Sequence, residues 1–241
     1  MPEPDSIDTV DPQGGIVYRI TGDTTLHASV GRKTRFPHLK ELYSKHAGGN
    51  PDLDEQKTIA YEVGAEHYLI DSVKVWASYF YNDVDDMIQR VRDEKKERMY
   101  VNIGEARTQG VEGGIDWEAT DNFQIGANYT YLATKDKEND RDLPGRPRHR
   151  INLDLRYLFP FGLSASLQTS YTQRQFEYID DESRKCPDFF LLDARISQRL
   201  GRLWGVGSEL FAQVTNLTDK DYDEGRPMPG RNFLAGLTLR Y

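Results

Sequence analysis

Side chains able to do chemistry are plentiful in this chain, but their spacing suits no familiar reaction. Asp136, Lys137, Glu138, Asp140, Arg141 and Asp142 crowd one stretch with carboxylates. Such density invites calcium, yet an EF-hand loop sets ligands at alternate positions around a central glycine and closes on a glutamate. This stretch lacks that spacing and reads as solvated charge. Asp93 to Arg98 reads the same way, as a charged loop tip. Among the five histidines, His27 and His67 fall in alternating segments, His38 and His46 in a long polar stretch, and His149 between Arg148 and Arg150. None has the helical spacing of an HExxH zinc site. The Arg148-His149-Arg150 run offers positive charge to an anionic ligand, or a structural role at a strand start. Cys186 stands alone, which excludes an intrachain disulfide framework and a CxxC metal site. No nucleophile elbow, phosphate loop or dinucleotide fingerprint occurs. The expectation is therefore no catalytic residue, no metal site and no cofactor.

The elements that carry these residues are legible from composition and period. The 241 residues hold 31 Lys and Arg against 39 Asp and Glu, a net charge of −8. That acidity argues against a nucleic-acid partner, which needs a basic face to displace counterions. Mean hydropathy is −0.71, and no window holds the roughly 18 apolar residues of a spanning helix. Yet 14 Tyr and 10 Phe are present, many for so polar a chain. A β-barrel in an outer membrane has this combination.

Hydrophobicity alternates with period two, the pattern of strands with unlike faces. Phe233, Ala235, Leu237, Leu239 and Tyr241 alternate with Asn232, Leu234, Gly236, Thr238 and Arg240. Phe123, Ile125, Ala127, Tyr129 and Tyr131 oppose Gln124, Gly126, Asn128 and Thr130; Ile151, Leu153, Leu155 and Tyr157 oppose Asn152, Asp154 and Arg156. Eleven strands are expected, at 15–20, 24–32, 58–69, 73–84, 99–119 (its regular part after Thr108), 123–134, 149–159, 163–177, 189–200, 206–217 and 230–241. Many are ten residues or longer, where globular strands average about 5–6 and tilted membrane strands need about 9–11. Short links at Thr21–Asp23, Ile70–Ser72, Thr120–Asn122, Pro160–Gly162 and Gly201–Gly205 alternate with long ones at 33–57, 85–98, 135–148, 178–188 and 218–229. Tight periplasmic turns and long outer loops are the asymmetry of bacterial outer-membrane barrels. A soluble sandwich has no reason to alternate so. One or two helical turns are expected over Pro37–Tyr43.

An ordered series of motifs then resembles a known family. It runs through Arg35-Phe36-Pro37, Asn50-Pro51-Asp52-Leu53, Glu62, Gly110-Val111-Glu112, Pro147-Arg148-His149, Asn216-Leu217 with Tyr222, and Gly230-Arg231. Together these are similar to TonB-dependent outer-membrane receptors of the siderophore and cobalamin type. The resemblance implies a barrel of about 22 strands with a plug in its lumen. On that footing residues 15–241 are the C-terminal half of the barrel, with 1–14 a disordered or loop-like segment. The fold class expected is all-β, an antiparallel up-and-down meander of about 11 long strands. An open curved sheet is expected ahead of a smaller closed barrel.

The same resemblance implies the partners. The outward faces would meet outer-membrane lipid. Phe233, Ala235, Leu237, Leu239 and terminal Tyr241 resemble the signal read by the outer-membrane assembly machinery, which fits strand addition at an unpaired edge. The five long loops would join the plug in holding a small-molecule chelate. TonB would be reached only through a plug that this sequence does not include. The inward set comprises Glu62, Glu66, Glu112, Asp116, Glu118, Asp154, Arg156, Asp193, Arg195, Arg199, Glu209 and Gln213. Two other readings stay open at this point: a free-standing small pore, and an outer-membrane enzyme with loop-borne catalytic residues.

Overall fold

The computed structural model describes residues 8–92, 98–173, 175–179, 182–203, 206–222 and 228–240. The chain runs β1 (Gln13–Arg19), β2 (Thr24–Arg35), α1 (Leu39–Tyr43), a 3-10 turn (Lys45–Ala47), β3 (Gln56–Ile70), β4 (Val73–Asp85), β5 (Met87–Arg92) and β6 (Arg98–Ile103). It continues with β7 (Ala106–Thr120), β8 (Phe123–Asp136), β9 (His149–Leu158), β10 (Leu163–Gln173), β11 (Phe176–Ile179), β12 (Glu182–Lys185), β13 (Phe189–Leu203), β14 (Val206–Thr215) and β15 (Asn232–Arg240). Eleven of these strands form one antiparallel meander in the order β1-β2-β3-β4-β7-β8-β9-β10-β13-β14-β15. It does not close, since β1 pairs only with β2 and β15 only with β14. The expected open half-barrel is what the chain forms.

Two segments depart from the expected strands. The stretch 99–119 is not one strand but two, β6 and β7, broken at Gly104 and Glu105. β6 turns away to pair with β5 as a separate hairpin, so the connection after β4 is ordered structure. The cause is tertiary: the Asn102 side chain donates to the carbonyls of Asp54 and Asp86, while Ile103 packs beside Val84 and Leu143. Likewise β10 stops at Gln173, and β11 and β12 make a small hairpin inside the next connection. The expected charged tip at Asp93–Arg98 falls mostly outside the described residues.

The register fixes which residues share a face, because directly paired residues point the same way. Glu118, Gln124, Arg156, Ser166, Arg195 and Gln213 form one cross-strand row, and Asp116, Gly126, Asp154, Gln168 and Asp193 the next. The opposite face is apolar and open: Phe233 is 70% exposed and Leu239 63%. Buried apolar residues lie instead at the long-loop end, where Val84, Ile103, Ala106 and Leu143 pack with Met87 and Val101. Short turns close the other end; Gly162 takes φ +83 and donates its N–H to Phe159, a conformation that disfavours any Cβ.

Inward glycines let rings lie flat on the next strand. A Cβ at Gly110 would meet the Tyr131 carbonyl and the Phe80 ring, and at Gly114 the Trp76 ring. Gly110→Ala should therefore destabilise the sheet by about 1–3 kcal/mol, whereas Gly14→Ala, with nothing within 4 Å of its Cβ, should be nearly silent. Urea midpoints of the two variants in detergent micelles check this; equal midpoints would remove the close-packing account.

Candidate functional site

The long connections are tied to one another around the rim. In the first, Glu41 accepts from the His38 N–H at the start of α1 and from the Arg35 guanidinium, so the helix N-terminus is closed from within. Burial alone would raise the Glu41 carboxyl, but the His38 N–H and Arg35 hold it below its ordinary value. Pro37 leads into this turn. Asn50 accepts from the Asp52 N–H and donates to the Tyr100 carbonyl, and Leu53 is buried. The first loop thus leans on β6. The next link is Lys137, whose ammonium lies 2.7 Å from Asp83 and 2.9 Å from Glu105; hydrogen bonds to both raise its pKa. Beyond it, Gly145 donates to the Phe176 carbonyl, and the Phe189 and Tyr222 rings meet at a tilt with 4.8 Å between centroids.

Carboxylates that look ligand-like are already engaged. Asp136 is buried and accepts from the Glu138 and Asn139 N–H groups, shaping its own turn. Asp140 pairs with Lys135, and Asp142 with Arg148. Among the described residues no three His, Cys, Asp or Glu side chains gather as a metal site.

The motif residues are largely fasteners. Glu62 meets His27 at 3.3 Å and Glu112 accepts from Thr130, both on the inward face. Arg148, His149 and Arg150 separate: Arg148 binds Asp142, and Arg150 falls in the inward row with Thr130 and Thr172. His149 shares the opposite face, where its Nδ1 lies 2.8 Å from the Tyr129 hydroxyl and its ring lies beside Tyr129 and Tyr131. Pro147 is half-buried just before them. The densest fastening is at the last loop. Asn216, buried at φ 51, donates its N–H to Asp193, donates from its side chain to the Lys220 carbonyl and accepts from the Lys220 N–H. Leu217 donates to the Leu192 carbonyl. Asp219 accepts from the Arg231 N–H and faces its guanidinium at 3.2 Å; Gly230 passes so close that a Cβ would lie 3.0 Å from that carboxylate.

Phe233, Ala235, Leu237 and Leu239 share the outward face of β15; Tyr241 lies outside the described residues. Asn102, Lys137, Asp136 and Glu41 were not foreseen in these roles. A lone Asx beside a loop is the sequence trace that Asn102 and Asp136 leave.

Long antiparallel strands with an apolar outward face, a polar inward face and long connections at one end define a transmembrane β-barrel wall of the outer-membrane type. The chain belongs to the TonB-dependent receptor-like β-barrel family, whose family model matches residues 4–217. This places it in the outer membrane of a Gram-negative cell. It is 26% identical to the vitamin B12 transporter BtuB of Photobacterium profundum, over 93% of this chain and 36% of that protein. It is 23% identical to the iron-regulated outer membrane virulence protein of Vibrio cholerae serotype O1, over 90% of this chain and 37% of that one. Among solved structures, the copper transporter OprC matches at TM-score 0.75 and 25% identity, over 92% of this chain and 38% of that chain. The ferric enterobactin receptor PfeA of Pseudomonas aeruginosa shares the fold, at TM-score 0.73 and 19% identity, over 94% and 39% of the two chains. The chain spans less than two fifths of these relatives.

Two outcomes follow from the last loop. Asn216→Ala removes the buried Asn216 amide and its two hydrogen bonds to the Lys220 backbone at a positive-φ position, and should cost about 0.5–1.5 kcal/mol; Asn216→Asp, which keeps the acceptor, should lose less. Faster proteolytic nicking within 218–231 reports it. Arg231 holds the Asp219 carboxyl below its ordinary value, through its backbone N–H first and its side chain second. The clip is therefore fully stabilised above the unfolded carboxyl value of about 3.9, and that stability is lost as pH falls through the folded value. Nicking should rise on acidification across this window, and Asp219→Asn should flatten that dependence.

Proposed function

We propose that residues 15–241 form the C-terminal half of the barrel wall of a receptor for active uptake of a scarce ligand, an iron-siderophore complex or cobalamin. The inward wall carries this reading. Glu118 and Arg156 face the lumen with no ion-pair partner among the described residues. Uncompensated charges on a concave wall need water or a complementary surface, and a plug supplies one. The wall near them encloses a recess of about 580 Å³ lined by Asp116, Asp154, Gln168, Arg195 and Glu209. Its groups are hydrogen-bonded across strands, as Gln168 is to Asp154 and Ser164 to Ser197, which suits a fixed wall.

On this reading the chain has no enzymatic role. Ligand is held by the five outer loops together with the plug, and energy arrives through TonB bound to that plug. The outward face meets lipid, and β15 is the strand read by the assembly machinery. Support for the ligand class comes from the relatives, which include a vitamin B12 transporter and an iron-regulated outer membrane protein.

Uptake of a radiolabelled ferric siderophore and of radiolabelled cobalamin tests the proposal, in cells expressing the protein that carries this chain. One of the two should accumulate, and accumulation should fall to background when TonB is deleted. Uptake that persists at the same rate without TonB would make the protein a passive pore. Failure of both ligands would remove the ligand class.

A further inference from the structure

We propose that Arg156 and Arg195 form a seat for a carboxylate side chain of the plug, on the inner wall near the short-turn end. The seat rests on the plug reading above and names the chemistry of one of its contacts. Arg156 on β9 and Arg195 on β13 are the two ladder partners of Ser166 on β10. Their side chains therefore leave one face two strand spacings apart, about 9–10 Å, with only the short Ser166 side chain between them. Both line the recess of about 580 Å³.

No carboxylate of the described wall answers either cation. The other ladder partner of Arg156 is Gln124, and that of Arg195 is Gln213. The carboxylates one step along the same faces are engaged: Asp154 accepts from Gln168 at 2.8 Å and Asp193 from the Asn216 N–H at 2.7 Å. Glu209 stands opposite Arg199 and lies 3.8 Å from Arg240. Arg195 donates to Gln213 and lies 4.1 Å over the Phe211 ring, and that ring rests on Gly236, where a Cβ would meet it at 2.6 Å. These neutral contacts aim the guanidinium without cancelling its charge. Once a plug excludes water from the recess, a bare guanidinium is costly unless an anion meets it. A carboxylate does so through paired, charge-assisted N–H···O bonds, and Asp or Glu is the anion that a polypeptide plug can offer.

The protein carrying this chain is purified in detergent without ligand, and Ser166→Cys is labelled with an uncharged maleimide. Ser78→Cys, on the inner face of β4, reports whether a plug covers the wall at all. Both thiols should be protected at low ionic strength. In about 1 M salt the Debye length falls to about 3 Å, and labelling of Ser166→Cys should quicken about tenfold or more while Ser78→Cys stays protected. Adding Arg156→Gln/Arg195→Gln should give the same gain at low salt, and Arg156→Lys/Arg195→Lys should keep most of the protection. Free labelling of both thiols in the absence of salt would remove the plug itself. Free labelling of Ser166→Cys beside a protected Ser78→Cys, or protection that neither salt nor the Gln pair alters, would overturn the seat alone. Protection of Ser166→Cys only after a ferric chelate is added would overturn it too, in favour of the transported ligand. The salt comparison leaves both arginines in place, so it decides the matter even where the Gln pair fails to fold.

Discussion

A polypeptide in hydrocarbon has no water to satisfy its backbone, so every peptide N–H and C=O must find a partner on the chain. Everything else in this molecule is arranged around that demand. The eleven-strand ladder meets it by neighbour pairing from β1 to β15 at every position but the outer edges of those two strands, with no crossover and therefore no long connection buried in lipid. Once the backbone is satisfied laterally, the two faces are free to differ. One becomes the apolar surface of Val63, Val111, Ile151 and Leu237, and the other the polar wall of Glu112, Asn128, Asp154 and Gln213. The low mean hydropathy is the average of those two surfaces.

A soluble domain would put its core between layers. Here a single sheet has no second layer, so close packing moves to the rim, where loops fold over strand ends around Leu143, 2% exposed, and Ala106. The fasteners there are polar and specific. Thr134 accepts from the Leu143 N–H, and Asn102 bridges Asp54 and Asp86. Each connection also leans on its neighbour, from Asn50 on Tyr100 to Phe189 on Tyr222. The outer loops are thereby a linked set rather than independent flaps. Movement in one strains the next, because buried hydrogen-bonded groups cannot be released singly without a desolvation cost.

The strands were legible because alternation is a repeated, long-range statement: the Phe233 to Leu239 series says the same thing four times. The β5–β6 hairpin was not, since Met99, Val101 and Ile103 alternate as well as any membrane strand does. What separates them is Asn102, whose amide is spent on loop carbonyls, a tertiary fact with no local period. The family motifs were visible as words but not as parts. Asn216 at positive φ could be guessed as a turn residue, while its reach to Asp193 could not. The split of Arg148, His149 and Arg150 was already implied by period two, since neighbours in a strand must face opposite ways.

This bears on how reactive-looking residues are to be weighed in such walls. The acidic run at 136–142 holds the densest carboxylates, and the structure spends them on turn closure and on Lys135 and Arg148. Density therefore marks self-satisfaction. Among the described residues, binding capacity lies in the charges that remain over, Glu118 and Arg156 toward the lumen. In a single-layer sheet both face the inner medium. An unpaired charge on the inner wall calls for protein or water, because those are the only phases within reach of that face.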